Sequence, residues 1–286
     1  MHKEHRGFLL GLLAALMIAA TGALVRAADA VPFQTITFIR FALALCSILP
    51  AIWMRRVSFS LANLGKHIGR ALFGLLSLYC YFYSLNYMPL VNALTFFNTA
   101  PLFIPLVILI WLKVAVPKSR FFAAFLGFIG IIIILRPFGG MIGWPNIVAL
   151  AGGLFTAIVQ VGVRELSKVE STETILFYYF ILSTIISFFP MLYYWKPIES
   201  PMLWFLLFLI GIFSLAYQYL LTRSLTHAPS SKVSIMNYLS VVFSGLLGWW
   251  FFHEVPSLWI VVGVLFIVGG GIVVLLSKGK SHKLGQ

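Results

Sequence analysis

The amino-acid sequence predicts an all-α integral membrane fold: ten transmembrane helices arranged as two inverted-topology five-helix repeats. Three observations lead there. The 286 residues are 61% hydrophobic and 9% charged, against about 25% charged in an ordinary soluble domain. The apolar residues fall in runs long enough for a helix to cross hydrocarbon with its backbone paired internally, and they lack the alternation of barrel strands. The chain also resembles itself at an offset of about 139 residues.

Windows of about 19 residues place the spans at 7–27, 33–53, 68–87, 90–112, 121–136, 146–164, 174–195, 202–223, 233–252 and 257–276. The first, GFLLGLLAALMIAA after MHKEHR, imitates a secretory signal followed by an A-x-A site at Ala28-Asp29-Ala30. Its match to 146–164 makes it a retained span instead. The second carries Arg40 within the apolar stretch TFIRFALAL. Helical spacing puts Ser77, Cys80, Tyr81 and Ser84 on one face of the third, and Asn92, Thr95 and Thr99 on one face of the fourth. Asn98 lies off that face, toward another helix. Pro101 and Pro105 each remove a backbone donor from the fourth span, so a kink is expected and both are hinge candidates. Pro89 and Pro229 open the fourth and ninth spans, where a missing donor costs little.

The eighth span groups Ser214, Tyr217 and Gln218. The ninth holds Ser234, Asn237, Ser240, Ser244 and Gly248 within an arc of about 120°. Gly127 and Gly130 in the fifth, Gly263 and Gly269–Gly271 in the tenth, and the Gly7/Gly11 pair mark close helix packing, with a homodimer through these helices as the alternative. Trp residues near span ends form the expected aromatic belts.

The repeat sets the topology. Ser84-Leu85 with Pro89 recurs as Ser224-Leu225 with Pro229; Asn98 falls on Asn237, Val116-Pro117 on Val255-Pro256, and Val25-Arg26 on Val163-Arg164. Five spans per copy is an odd number, so the second copy enters the membrane inverted, the plan many transporters use around a midplane site. The units are 1–140 and 141–286. Of the twenty Lys and Arg, Arg26, Arg136 and Lys196 fall outside, Arg40 lies within a span, and the other sixteen lie inside. That bias predicts both termini in the cytoplasm of a bacterial-type inner membrane.

The net charge of +13 reflects that topology and not a nucleic-acid surface, because the cations are scattered between spans. Cys46 and Cys80 both fall in apolar runs and signal neither a disulfide nor a metal site. No HExxH, GxSxG or intramembrane acidic cluster occurs, and the six His residues read as tail or loop residues, so an enzyme is disfavoured and no cofactor is called for. The expected partners are a small-molecule substrate and the bilayer.

Polar faces on the repeat-related pairs of spans three with four and eight with nine point to a central cavity. Its candidate lining is Arg40, Ser77, Tyr81, Asn92, Thr95, Asn98, Thr99, Ser214, Tyr217, Gln218, Asn237, Ser240 and Ser244. Tyr79, Tyr83, Tyr219 and Tyr238 could add aromatic walls. All seven acids lie outside spans or at their ends, which disfavours a proton-coupled exporter of organic cations and favours a zwitterionic or anionic metabolite. A multidrug, organic-cation or sulfonium carrier, such as one for S-adenosylmethionine, is the alternative. A membrane-embedded enzyme or a non-transporting scaffold is a remote one.

The segment Phe38-Ile39-Arg40-Phe41, the proline-rich NTAPLFIPL at 98–106, and His253-Glu254-Val255-Pro256 before a glycine-rich last helix together resemble EamA-type members of the drug/metabolite transporter superfamily. The resemblance covers the whole chain. It implies a central cavity between two halves that moves small metabolites such as amino acids, nucleotide-type compounds or drugs. Ala115 stands where the resemblance expects a counterpart of Glu254, which leaves the two halves unequal at their cytoplasmic hinges. Glu254 itself reads as a helix-start residue stabilised by the last helix. The resemblance also shifts Arg40 toward a structural role, with substrate contact as the other reading and a side chain able to snorkel outward.

Overall fold

The computed structural model describes residues 2–55, 61–114, 118–135, 143–228, 233, 238–255 and 257–276. Among them, seven helical segments are long and apolar enough to cross a membrane. The helices are α1 (His2–Ala27), α2 (Phe33–Arg55), α3 (Leu64–Leu85), α4 (Leu90–Phe97), α5 (Ala100–Trp111), α6 (Lys118–Leu135), α7 (Trp144–Leu166), α8 (Thr172–Tyr194), α9 (Pro201–His227), α10 (Tyr238–Phe252) and α11 (Leu258–Leu276).

Local sequence sets the helix ends. Ser171 caps α8, its Oγ accepting from Thr174 N at 3.1 Å. Pro145 and Pro201 stand in the first turns of α7 and α9, where no donor is lost. The predicted fourth span is two helices, α4 and α5, broken at Asn98–Thr99. Pro101 sits in the first turn of α5 and Pro105 stays inside it. The break therefore precedes the prolines: Pro101 has no N–H for the carbonyl four residues back and crowds the residue before it.

α1 packs along α9, α3 along α7, α2 along α8, and α6 along α11. Small residues permit the closest approaches. A Cβ at Gly153 of α7 would overlap Thr99 Oγ1 and lie 2.8 Å from Phe96 O. A Cβ at Gly7 of α1 would meet Ala228 Cβ at 3.1 Å. Gly7 thus serves packing within the chain, and Ser224 Oγ donates to its carbonyl at 2.7 Å.

At one end of the bundle, Arg26 of α1 donates through Nη1 to Leu85 O at 2.6 Å and Met88 O at 3.0 Å. Its Nη2 lies 2.7 Å from Glu254 Oε1, while Glu254 Oε2 accepts from Leu90 N at 2.8 Å. Glu254 thus serves the start of α4, not of the last helix as expected. His253 makes this possible by turning the chain with φ 55°, and Glu254 N donates to Gly248 O. The end of α5, which leads toward position 115, lies at the opposite end, where Trp111 approaches Gly162. Position 115 is outside the described residues, and the two hinges compared in the sequence are not at a common end.

Candidate substrate site

Two arginines are buried between α2, α3, α8 and α9. Arg40 of α2 is 2% exposed and does not snorkel; Arg70 of α3 is 4% exposed. The Arg40 guanidinium lies 4.9 Å from the Phe41 ring centre and 5.8 Å from that of Phe82. Arg70 lies 3.8 Å from the Tyr179 ring centre, and its Nη2 donates to Gln218 Oε1 at 3.4 Å. Among the described residues, Nε and Nη1 of both arginines have no hydrogen-bond partner. Tyr179 and Tyr217 are electrostatic neighbours of both, Tyr179 also as a hydrogen-bond partner of Arg70, and among the described residues no carboxylate is one of those neighbours. Ring faces offset part of the desolvation of a buried cation, worth about 2 kcal/mol each at best. They supply no negative charge, so the site keeps an uncompensated positive potential.

Beside the arginines is a cavity of about 40 Å³ lined by Gly74, Ser77, Phe97, Thr156, Gln160, Tyr179, Tyr217 and Gln218, among others. A water needs roughly 10–15 Å³, so the cavity has room for a few waters and is too small for a metabolite. Toward the end where α3 begins, a vestibule of about 410 Å³ is lined by Lys66, Gly69, Arg70, Phe73, Trp111 and Glu165, among others. Val159 lines both spaces. Val159 therefore stands between the vestibule and the central pocket, and Arg70 lies on the vestibule wall. At the opposite end the Arg26–Glu254 pair joins α1 to the turn before α11 and, through Leu90 N, to the start of α4.

The predicted site residues divide into two groups. Arg40, Tyr217 and Gln218 come together at the arginine cluster, with Ser77 on the cavity wall. Ser214, one turn before Gln218, is buried with no partner for its hydroxyl among the described residues. Ser77 also ties α3 to α7, sharing a 2.6 Å hydrogen bond with Thr156 and donating to Gly152 O at 2.9 Å. Tyr81 is buried with its hydroxyl against Gly22 of α1.

The predicted face of the fourth span does not line the cavity. Thr95 donates to Val91 O and Thr99 to Phe96 O, both within their own stretch of chain, and Asn92 is half-buried with no partner for Oδ1 among the described residues. Asn98 does reach another helix, donating to Ser240 Oγ at 2.6 Å. Ser244 turns back to Val241 O. The ninth-span stripe, as far as it is described, is thus a helix–helix contact; Ser234 and Asn237 lie outside the described residues.

Two functional candidates were missed. Arg70 reads in the sequence as one more inner-end charge, yet it is the second buried cation. His67, taken as a loop residue, lies inside α3 with a fully buried side chain, 2.7 Å from Glu170 Oε2. The signal was available: α3 starts four residues before the predicted span, and His67, Arg70, Gly74 and Ser77 recur at helical spacing on one face.

A family model described as EamA-like transporter family matches residues 5–136 and 143–276. The chain belongs to this family. It is a multi-pass membrane transporter of small metabolites. The protein is 31% identical over 270 residues to the pseudopaline exporter CntI of Pseudomonas aeruginosa, covering 92% of this chain and 93% of the relative. It is 26% identical to a riboflavin transporter of Vibrio cholerae, covering 93% and 94%, and 21% identical to an S-adenosylmethionine uptake transporter of Rickettsia bellii, covering 86% and 84%. A solved crystal structure shares the fold with a TM-score of 0.73 at 21% identity, covering 94% of this chain and 96% of that one.

Proposed function

We propose that this transporter carries an anionic or zwitterionic metabolite, amino-acid-like or nucleotide-like, by alternating access at the Arg40–Arg70 site between two inverted five-helix repeats, residues 1–140 and 141–286. The carrying observation is the pair of buried guanidiniums, each with two nitrogens partnerless and no carboxylate neighbour among the described residues. A ligand carboxylate or phosphate would satisfy both donors and charge.

Repeat-related contacts support the inverted halves. Arg26 bonds Leu85 O and Met88 O; its counterpart Arg164 bonds Leu225 O at 2.7 Å and Thr226 O at 3.1 Å. The turns after α5 and α10 each use a non-glycine residue of positive φ, Lys113 at 53° and His253 at 55°. The cation-rich end with Lys66, Arg164 and Lys168 is assigned to the cytoplasm of a bacterial-type inner membrane, together with both termini. On that assignment the vestibule faces inward and the Arg26–Glu254 contact closes the outer side. A homodimer through the glycine-rich helices is kept as a proposal about assembly: Gly269 of α11 faces open space, and native mass spectrometry of the extracted protein decides it.

The relative named for S-adenosylmethionine favours the sulfonium reading. A permanent cation, however, would sit beside two guanidiniums, with the Tyr179 ring already covered by Arg70. Counterflow in proteoliposomes with labelled glutamate, citrate, AMP and tetraphenylphosphonium tests the reading. Saturable anion or zwitterion exchange is expected; saturable exchange of the phosphonium alone overturns it.

A further inference from the structure

His67 is a buried titratable group that substrate binding does not use. Its Nε2 lies 2.7 Å from Glu170 Oε2, and Asn63 Nδ2 donates to Glu170 Oε1 at 2.9 Å. Glu170 comes from the connection between α7 and α8, where its backbone N–H bonds Leu166 O at 2.9 Å. From α8 the Tyr178 ring stacks on the imidazole, centres 4.3 Å apart. From its own helix, Lys66 and Arg70 are its charged neighbours. Among the described residues, the second ring nitrogen, Nδ1, is buried with no partner.

The two nitrogens have unequal surroundings, and that links proton binding to conformation. A neutral ring donates Nε2–H to the carboxylate and leaves Nδ1 a bare acceptor, the tautomer assigned by the hydrogen bonding. An imidazolium here would bury an N–H on Nδ1 with no group among the described residues to receive it. The present arrangement therefore holds the ring neutral, and one that gives Nδ1 water or an acceptor holds it charged. Proton uptake and movement of the start of α3 against the α7–α8 connection become one equilibrium. Arg70 is one turn further along the same helix. An anion bound there offsets positive charge that opposes the imidazolium, so anion and proton favour the same state.

We propose that His67 Nδ1 is the coupling-proton site of this transporter, and that the proton bound there moves with an anion held at Arg70. One proton from solution adds to the Nδ1 lone pair; no covalent bond breaks, and Glu170 stays a carboxylate that pairs the imidazolium. The anion half rests on the proposed function, whereas the proton half is testable without any substrate.

The test places spin labels at Gly65→Cys, where an added Cβ meets nothing within 4 Å, and at Leu112→Cys across the vestibule, with Cys46 and Cys80 replaced by alanine. Distances are measured in nanodiscs from pH 5 to 8, and ¹⁵N-histidine spectra report which ring titrates. The vestibule distance is expected to change with a one-proton midpoint that matches the His67 signal and to be flat in H67Q. E170Q moves the midpoint to lower pH by about one unit, because the imidazolium loses its counter-charge. R70Q moves it to higher pH, because one opposing cation is gone. A pH-independent distance in the parent protein, or a midpoint unchanged in both H67Q and E170Q, overturns the proton site. Citrate is expected to raise the midpoint in the parent and not in R70Q. If it shifts neither while the H67Q and E170Q results hold, the proton site stands and the anion reading falls.

Discussion

Replacing Glu254 by alanine is expected to open the Arg26 end of the bundle. The carboxylate makes two contacts, one with Arg26 at 2.7 Å and one with the backbone N–H of Leu90 at 2.8 Å. A hydrogen bond to a charged acceptor contributes about 1.5–3 kcal/mol, and the positive end of α4 adds to it. The ion pair is partly exposed, at 29% and 13% for its two side chains, so it contributes at most about 1 kcal/mol. Allowing water to replace part of the loss leaves about 2 kcal/mol, or roughly 30-fold in the ratio of open to closed forms. Hydrogen exchange of peptides covering 84–94 reads that ratio, because exchange follows the open population. In E254A the amides of residues 90–93 are expected to exchange roughly 30-fold faster. E254Q, which keeps an acceptor but no charge, falls between. Exchange within threefold of the parent would refute the latch and leave the closed end to apolar packing alone.

Three further perturbations follow from the packing. Gly153→Ala drives a Cβ into Thr99 Oγ1 and against Phe96 O; a loss of about 1–3 kcal/mol is expected, read as a lower melting temperature that Thr99→Ala relieves only in part, since the backbone carbonyl remains. Asn98→Leu removes the bond to Ser240; interhelical hydrogen bonds in membranes average about 0.6 kcal/mol, so the expected fall in thermal stability is small, and a loss above about 2 kcal/mol would give Asn98 a larger part in joining α4 to α10. Arg40→Met replaces a buried cation with an apolar chain of similar length; folding yield is expected to be kept or improved while anion-dependent stabilisation disappears, and a collapse in yield would assign Arg40 to structure.

Much of this architecture is legible in the sequence because hydropathy and repeat spacing are one-dimensional signals. The helical first span, the Asn98 crossing, and the joint placement of Arg40, Tyr217 and Gln218 all follow from them. Helical spacing says which residues share a face, not what that face meets. Thr95, Thr99 and Ser244 satisfy their hydroxyls on nearby carbonyls, so their stripe is compatible with packing as well as with a cavity. Arg70 and His67 were hidden at a span end: Lys66, His67 and Arg70 lower the window mean at the start of α3, which puts the predicted start at 68, leaves His67 outside it and makes Arg70 read as an inner-end charge. The Glu254 contact with the start of α4 joins residues 164 apart in sequence, and neither repeat matching nor local capping rules could choose that helix over the adjacent one.

The central claim is that two buried, uncompensated arginines select an anionic or zwitterionic cargo. The most direct measurement is the melting temperature of the purified protein with glutamate, citrate, AMP, S-adenosylmethionine and tetraphenylphosphonium, repeated on an Arg40→Gln, Arg70→Gln double variant. A ligand at 100 times its Kd stabilises the state it binds by about 2.7 kcal/mol. At least one of glutamate, citrate or AMP is expected to raise the melting temperature of the parent and leave that of the double variant unchanged. Stabilisation by tetraphenylphosphonium alone, or anion stabilisation that survives loss of both guanidiniums, would contradict the account.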